Sequence, residues 1–219
     1  MRNIASKALQ VTWANELHQS AGDEDKFIID YFSGKKGGYL LDIACACPVS
    51  GSLSYKFLNQ YDWYGILVEP SSFHKENIEA CYGDVDGVHF FAGAIHQIKD
   101  SIELFEPLDT PSIGFSTLDK HFFEQNKINK YNSYSVPCIS IMNLLKKYDA
   151  PKDIDFMNLD IEGSELQVLD NLDFSEYNIK LICIENGIIY EDIMKSNGYR
   201  VCDSKNYKLV HQNLFYEKV

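Results

Sequence analysis

Two acidic side chains that lie one residue apart, Asp160 and Glu162, are the first candidates for chemistry in this chain. They directly follow the mostly apolar run 154–159. An acid that ends a buried strand needs a partner, and this marks such a residue as a candidate for function. A partly desolvated carboxylate can act as a general base. Asp160 is the stronger candidate, because Glu162, like Glu165, can also be explained as an acid that stabilises the dipole of the following helix.

Three further acids stand at or near the ends of apolar runs. Glu69 and Glu185 directly follow such runs, and Asp42 lies near the end of another. Open α/β sheets bind their ligands at the carboxyl ends of the strands. Parallel strands would bring all of these acids to one edge of a sheet. At that edge Glu69 is expected to accept hydrogen bonds from two ribose hydroxyls, as in related nucleotide folds. Asp42 is expected to orient the loop that follows, to balance a positive charge on a ligand, or to do both.

Alternating strands and helices are expected to position these acids. Strands are predicted at 39–44, 64–69, 88–92, 101–105, 154–159, 181–185, 199–202 and within 208–216. Helices are predicted from about 24 to 33 and at 51–59, 72–81, 139–148, 166–172 and 187–197. This alternation predicts an α/β fold with a mainly parallel sheet.

Two stretches do not fit this alternation. Residues 1–22 indicate only a possible helical arm, and residues 106–137 resist assignment. A connection as long as 106–137 is usually functional or mobile, so we expect it to cover the site as a lid or insertion. Its aromatic rings could stack on a bound substrate, and they are Phe115, His121, Phe122, Phe123, Tyr131 and Tyr134.

Composition bounds the class of protein. The chain has 219 residues, of which 45% are hydrophobic and 24% charged, as in an ordinary globular domain. The net charge of −12 opposes binding to nucleic acid. No apolar run approaches the roughly 20 residues that span a bilayer, and the N-terminus lacks the apolar core of a secretory signal, so a cytoplasmic protein is expected. Cys45 and Cys47 could form a redox or metal pair, but no second ligand pair accompanies them.

The chain resembles the FkbM-type family of S-adenosylmethionine-dependent methyltransferases from about residue 23 to residue 216. The most specific motif is the block D-I-E-G-S-E at 160–165. The other matching segments are 24–28, 41–44, 65–70, 94–95, 155–159, 181–186, 198–199 and 212–213.

This resemblance implies a Rossmann-like class I methyltransferase fold in a single domain, 1–219. The sheet would be mostly parallel, with a C-terminal antiparallel strand and an inserted loop region. Family members commonly O-methylate sugars or other small hydroxylated metabolites, so a carbohydrate acceptor is expected. The residues implied for binding S-adenosylmethionine are Asp42, Ala44, Cys45, Ala46, Glu69, Pro70, Ala94 and Ile95.

For the chemical step, Asp160, Glu162 and Glu185 are the expected catalytic residues. Asp160 or Glu162 would take the proton of the acceptor hydroxyl, and Glu185 would hold that hydroxyl or share the role of base. The three acids could also bind Mg²⁺ or Ca²⁺ through oxygen, although their spacing does not require a metal. The sequence does not indicate an oligomeric state.

The loop after Asp42 departs from the family pattern. Alanines stand at positions 44 and 46, where glycines are expected. Glycine serves at such positions because it adopts positive φ or lets the backbone approach a ligand closely. Two functions therefore stay open, an O-methyltransferase or a non-catalytic binding module with a degraded cofactor loop.

Overall fold

The computed structural model describes residues 22–108, 116–125, 127–209 and 213–219. The expected N-terminal arm, apart from Gly22, and Gln212 of the family motifs lie outside these ranges. The helices are α1 (Glu24–Tyr31), α2 (Tyr55–Gln60), α3 (Ser72–Tyr82), α4 (Lys120–Gln125), α5 (Ile141–Lys147), α6 (Glu165–Leu169) and α7 (Glu191–Ser196), with a 3₁₀ helix at Gly187–Tyr190. The strands are β1 (Tyr39–Ile43), β2 (Tyr64–Val68), β3 (Val88–Phe91), β4 (Ala94–Ile95), β5 (Ser101–Pro107), β6 (Tyr131–Ile139), β7 (Asp153–Leu159), β8 (Asn178–Ile184), β9 (Tyr199–Val201) and β10 (Leu214–Lys218).

The main sheet has seven strands in the order β3-β2-β1-β7-β8-β10-β9. Strands β3, β2, β1, β7 and β8 run parallel, whereas β10 pairs antiparallel with both β8 and β9. The predicted α/β fold with a mainly parallel sheet and a final antiparallel strand is therefore confirmed. Because the parallel strands share one direction, their carboxyl ends form one edge, and the acids that follow β2, β7 and β8 all stand there.

The core lies on both faces of this sheet. Successive side chains of a strand point to opposite faces, and β1 shows this with buried Leu40 and Leu41. Leu40 packs in a cluster with Phe156 and Trp63, while Leu41 packs on the other face with Met157. Strands covered on both faces read as continuous apolar runs, which is why the sequence identified them well.

A second sheet of three strands, in the order β4-β6-β5, stands beside the main one. Strands β5 and β6 pair antiparallel from Ser101↔Pro137 to Pro107↔Tyr131 and form a ribbon. The ribbon and α4 occupy much of the segment 106–137, which the sequence left unassigned. Most residues of β6 are only partly buried or exposed, so the strand lacks the clear apolar alternation that predicts a strand.

Two helices predicted from the sequence start later than expected. The helix expected at 51–59 starts only at Tyr55. The helix expected at 139–148 starts only at Ile141, because Ile139 still belongs to β6. Ser140 separates the two elements, and its hydroxyl accepts the backbone N–H of Asn143 at 3.2 Å. A serine at this position caps the first turn of a helix.

An acid inside β7 serves the fold rather than the site. Asp155 is buried, and its carboxylate binds Lys35 and Lys180 at 2.7 Å each and the N–H of Tyr39 at 3.0 Å. Burial acts to raise the pKa of Asp155, but these hydrogen bonds outweigh it and lower the pKa. None of the described helices is long and apolar enough to cross a membrane.

Candidate active site

Three carboxylates meet at the carboxyl edge of the main sheet. Asp160 follows β7, Glu185 follows the adjacent β8, and Glu162 stands in the turn after Asp160. One carboxylate oxygen from each residue lies within 4.8 Å of the other two. The three expected catalytic residues, hereafter the acid cluster, are thus brought together by the pairing of two parallel strands.

The turn that carries Glu162 has an unusual backbone. Glu162 has a φ of 51°, in the left-handed region, and Gly163 has a φ of 99°. The buried carboxylate of Glu165 holds this turn, since it accepts the N–H groups of Ile161 at 3.0 Å and of Gly163 at 3.1 and 3.2 Å. It also accepts the hydroxyl of Tyr190 at 2.9 Å.

Glu165 therefore positions the acid cluster, a role that sequence reasoning missed. The sequence indicated only an acid in the first turn of a helix, and such a residue stabilises the helix dipole wherever it points. A left-handed residue costs about 1–2 kcal/mol, and the hydrogen bonds of Glu165 offset this cost.

Burial, followed by the charges of neighbouring acids, raises the pKa of every member of the acid cluster. Burial and then the charge of Glu185, together with its hydrogen bond to Asp160, raise the pKa of Asp160 well above its usual range. Burial, followed by the charges of Asp160 and Glu165, raises the pKa of Glu162 to about 8. Burial and the charge of Glu162 raise the pKa of Glu185 to about 7. The cluster consequently holds protons near neutral pH, where a base of matched pKa works best.

An apolar cleft of about 370 Å³ opens between the main sheet and the ribbon. Its walls come from the ends of β1 and β2, from β4, and from β5 and the segment after it. The lining residues are Ile43, Ala44, Val68, Pro70, Ala94, Ile95, Leu104, Ser116, Leu118 and Ile161. Four of the residues expected to bind the cofactor are among them, namely Ala44, Pro70, Ala94 and Ile95, and most of the lining is apolar.

A polar cavity of about 530 Å³ lies on the other side of Ala44, which lines both spaces. It is strongly acidic. The lining residues are Glu24, Asp42, Ala44, Cys45, Ala46, Gly51, Leu53, Asn158, Asp160 and Asn213. The cavity suits the cationic end of a ligand.

Three polar side chains that line this cavity, Glu24, Asn158 and Asn213, were not predicted as site residues. Asn158 donates to Asp42 at 3.0 Å, and Ser54 also donates to Asp42. Asn213 donates to Glu24 at 3.3 Å. A signal existed for all three, because each falls in a segment that resembles the family. Nothing in the sequence indicated that Glu24 and Asn213, 189 positions apart, meet.

The loop after β1 takes the conformation that glycine favours. Ala44 has a φ of 65° and Ala46 a φ of 49°. Glu69 holds the loop, because its buried carboxylate accepts the N–H of Ala46 and, with the other oxygen, the N–H of Ser71, both at 2.8 Å. Burial raises the pKa of Glu69 to about 7.

Cys45 and Cys47 lie in the loop after β1, and both are free thiols. One expectation about an aromatic side chain near this site needs correction. Phe123 cannot stack on a sugar, because it is 1% exposed and packs against Phe105 and Tyr131 of the ribbon.

The other rings expected to stack on the substrate differ in their surroundings. His121 is exposed and pairs with Glu124 at 2.9 Å. The hydroxyl of Tyr134 accepts the N–H of Ser72 at 2.9 Å. Phe115 and the side chain of Phe122 lie outside the part of the chain that the structure describes.

Comparison with protein families now adds an independent finding. Residues 43–201 match the methyltransferase FkbM domain. The chain belongs to the FkbM methyltransferase family. The matched segment of this FkbM methyltransferase includes the acid cluster, Glu69 and the loop after β1, and it confirms the resemblance that the sequence motifs carried.

Comparisons with individual proteins are more distant. No curated protein matches this chain in sequence. Among solved structures it is similar to a "putative RNA methyltransferase" from Pyrococcus horikoshii, with 12% identity, coverage of 100% of both chains and a TM-score of 0.45. It is also similar to precorrin-6y C5,15-methyltransferase from Geobacter metallireducens, with 10% identity, coverage of 88% of this chain and 84% of that one, and a TM-score of 0.40.

Proposed function

We propose that this FkbM methyltransferase transfers a methyl group from S-adenosylmethionine to a hydroxyl of a sugar, a glycan precursor or another small hydroxylated metabolite. One observation carries the proposal. The acid cluster stands at the same sheet edge as two cavities of opposite character, and Asp160 belongs to both the cluster and the polar cavity. A base is thereby available beside a cleft that suits a nucleoside with a cationic tail.

The two cavities fit the two halves of the cofactor. In this proposal the apolar cleft takes the adenine between Pro70 and Leu104. The polar cavity takes the amino-acid end, whose ammonium group and sulfonium are balanced by Asp42 and Asp160. Glu69, between the loops that follow β1 and β2, takes the ribose hydroxyls through its remaining lone pairs. Ala44 lines both spaces and would lie where the halves join.

Bound S-adenosylmethionine supplies an electrophilic methyl group, and methyl transfer is then mainly a matter of positioning. Glu162 and Glu185 hold the acceptor hydroxyl, and the unprotonated carboxylate among them takes its proton. A pKa of about 8 at Glu162 makes its carboxylate a stronger base than an ordinary glutamate. The proposed lid, residues 106–137, would keep water from this step.

A divalent cation is a further proposed occupant of the acid cluster. Three carboxylate oxygens within 4.8 Å of one another suit Mg²⁺. We propose it as an auxiliary ligand that would orient the acceptor hydroxyl. Turnover measured after dialysis against EDTA, with and without added Mg²⁺, tests this role of the cation. Turnover that is unchanged by both treatments would reject it.

Calorimetric titration with S-adenosylhomocysteine tests the proposed function. We expect binding in the micromolar range, and the absence of binding at millimolar ligand would overturn the proposal. Glu69→Ala should weaken binding at least tenfold, because it removes both the ribose acceptor and the support of Ala46.

A matched variant separates binding from chemistry. Glu162→Gln should keep binding within threefold and reduce turnover at least a hundredfold, since Glu162 lines neither cavity and an amide cannot accept the proton. Full turnover in Glu162→Gln and Glu185→Gln alike would show that neither glutamate is the base.

A further inference from the structure

The segment 116–118, hereafter the strap, forms part of one wall of the apolar cleft. Ser116 and Leu118 line the cleft, whereas Thr117 between them is 1% exposed. The backbone of Thr117 forms two hydrogen bonds with that of Phe105 in β5, at 2.9 and 3.0 Å. The strap is thus attached to the ribbon, and two of its three residues face the space proposed for the adenine.

The hydroxyl of Thr117 joins the strap to the turn that carries Glu162. It donates to the backbone carbonyl of Glu162 at 3.2 Å and accepts the N–H of Asp119 at 3.1 Å. Ile161, which directly precedes Glu162, lines the same cleft from the side of the main sheet. The hydrogen bond from Thr117 to Glu162 therefore links the two walls of the cleft.

This hydrogen bond complements those of Glu165. The carboxylate of Glu165 accepts the N–H groups of Ile161 and Gly163, and Thr117 binds the carbonyl of the residue between them, Glu162. Glu162 has a φ of 51°, and a residue in such a conformation persists only where its surroundings hold it. The turn is therefore held from two sides, and one of these sides is the strap.

We propose that Thr117 is a positioning residue, which through one hydrogen bond holds the strap over the bound nucleoside and the backbone of Glu162 in place. The inference rests on the proposed function, because it assumes that the cleft holds the cofactor's nucleoside. Release of the nucleoside requires the strap to move away from the main sheet, and this movement breaks the bond to Glu162. The acid cluster is therefore fully ordered only while the strap is closed.

Dissociation rates measured by surface plasmon resonance on the immobilised protein test the role of the strap. The probes are S-adenosylhomocysteine and 5′-methylthioadenosine, which has the same nucleoside but lacks the amino-acid end. Thr117→Val keeps the size of the side chain and removes the hydroxyl. It should release both compounds about three to ten times faster, the effect expected for the loss of one hydrogen bond. The factor should be equal for the two compounds, because the strap lines the apolar cleft and not the polar cavity.

Two further variants are controls. Thr117→Ser keeps the hydroxyl and should show the wild-type dissociation rates within twofold. Ser133→Ala removes a different hydroxyl of the ribbon, which donates to Glu103 on the neighbouring strand at 2.6 Å, and should also keep the wild-type rates. Equally fast release in Ser133→Ala and Thr117→Val would indicate a general loosening of the ribbon and reject the specific role of Thr117.

Hydrogen exchange of the protein without ligand tests the effect on the turn. The amides of residues 161–163 should exchange at least threefold faster in Thr117→Val than in the wild type, because the carbonyl between them loses its donor. Thr117→Ser should restore the wild-type exchange rates. Equal exchange in Thr117→Val and the wild type would overturn the link between the strap and Glu162.

The outcomes separate this inference from the proposed function. Binding of neither compound at millimolar concentration would overturn both. Binding of both compounds with wild-type dissociation rates in Thr117→Val would overturn the role of Thr117 alone, and so would a larger factor for S-adenosylhomocysteine than for 5′-methylthioadenosine. If Thr117→Val does not fold, Thr117→Ala takes its place with the same expected results.

Discussion

Replacing Ala44 and Ala46 together by glycine should make the protein more stable. Both alanines have positive φ, a conformation that costs an L-residue about 1–2 kcal/mol and costs glycine almost nothing. Each change to glycine also lowers the stability by about 0.4–1 kcal/mol, because glycine gives the unfolded chain more conformational freedom. Removing a half-buried methyl group lowers the stability by about 0.4 kcal/mol more, which is half the value for a fully buried methyl group.

These contributions leave a gain of about 0.4 kcal/mol at each site, or about 1 kcal/mol for the double variant. In a chain of this size the unfolding midpoint should rise by about 2–4 °C. Ala92→Gly is the matched control, because Ala92 is a half-buried loop residue without positive φ. It should lose about 1 kcal/mol. Thermal and urea unfolding of the wild type, the double variant and Ala92→Gly show whether each change raises or lowers the stability. A double variant that loses stability as Ala92→Gly does would refute the argument that positive φ strains the two alanines.

The same double variant tests whether the cofactor loop is degraded. Ala44 lines both cavities, so the variant widens the space on each side of it. If the loop serves the enzyme as it stands, affinity for S-adenosylhomocysteine should stay within threefold of wild type. A gain of more than tenfold, measured by calorimetry, would instead support a loop that has lost cofactor affinity.

Two further predictions concern the acid cluster. Glu165→Ala should destabilise the protein by about 3 kcal/mol in urea unfolding. The variant leaves the N–H groups of Ile161 and Gly163 and the hydroxyl of Tyr190 without their acceptor. A loss of stability below 1 kcal/mol would contradict the role of Glu165 in the turn. Stability should also depend on pH, since the pKa of Glu162 is about 8 in the folded protein against an ordinary value of 4.5. The folded state then binds protons that the unfolded chain has released, so stability falls as the pH rises from about 5 to 8. Glu162→Gln should flatten this dependence in melting curves at pH 6 and pH 9, and an equally steep dependence in the variant would show that Glu162 does not titrate as argued.

The buried parallel strands were predictable because their signal is local. Strands such as β1 and β7 are apolar on both faces and are bounded by turns and helices, so composition alone indicates them. The ribbon was not predictable in this way. Strand β6 pairs with β5 at the margin of the molecule, where few side chains are buried, and its stability comes from a partner some 30 residues earlier in the chain.

The acids show the same division. The sequence alone determined that Asp160, Glu162 and Glu185 share one edge of a sheet, since parallel strands must end on the same side. It also indicated that alanines occupy positions 44 and 46, where glycine is expected. Only the tertiary structure distinguished Glu165, which holds a turn, from Glu162 three positions earlier, because both are acids at a helix start and differ only in where their carboxylates point.

Long-range contacts decided the rest. Asp155 and Asp160 are both acids in one apolar strand region, but two lysines from elsewhere in the chain neutralise the first, whereas the second meets Glu185 in a buried cluster of like charge. A sequence states which groups are present and which strand ends they occupy. Their burial, partners and pKa values are properties of the packed chain.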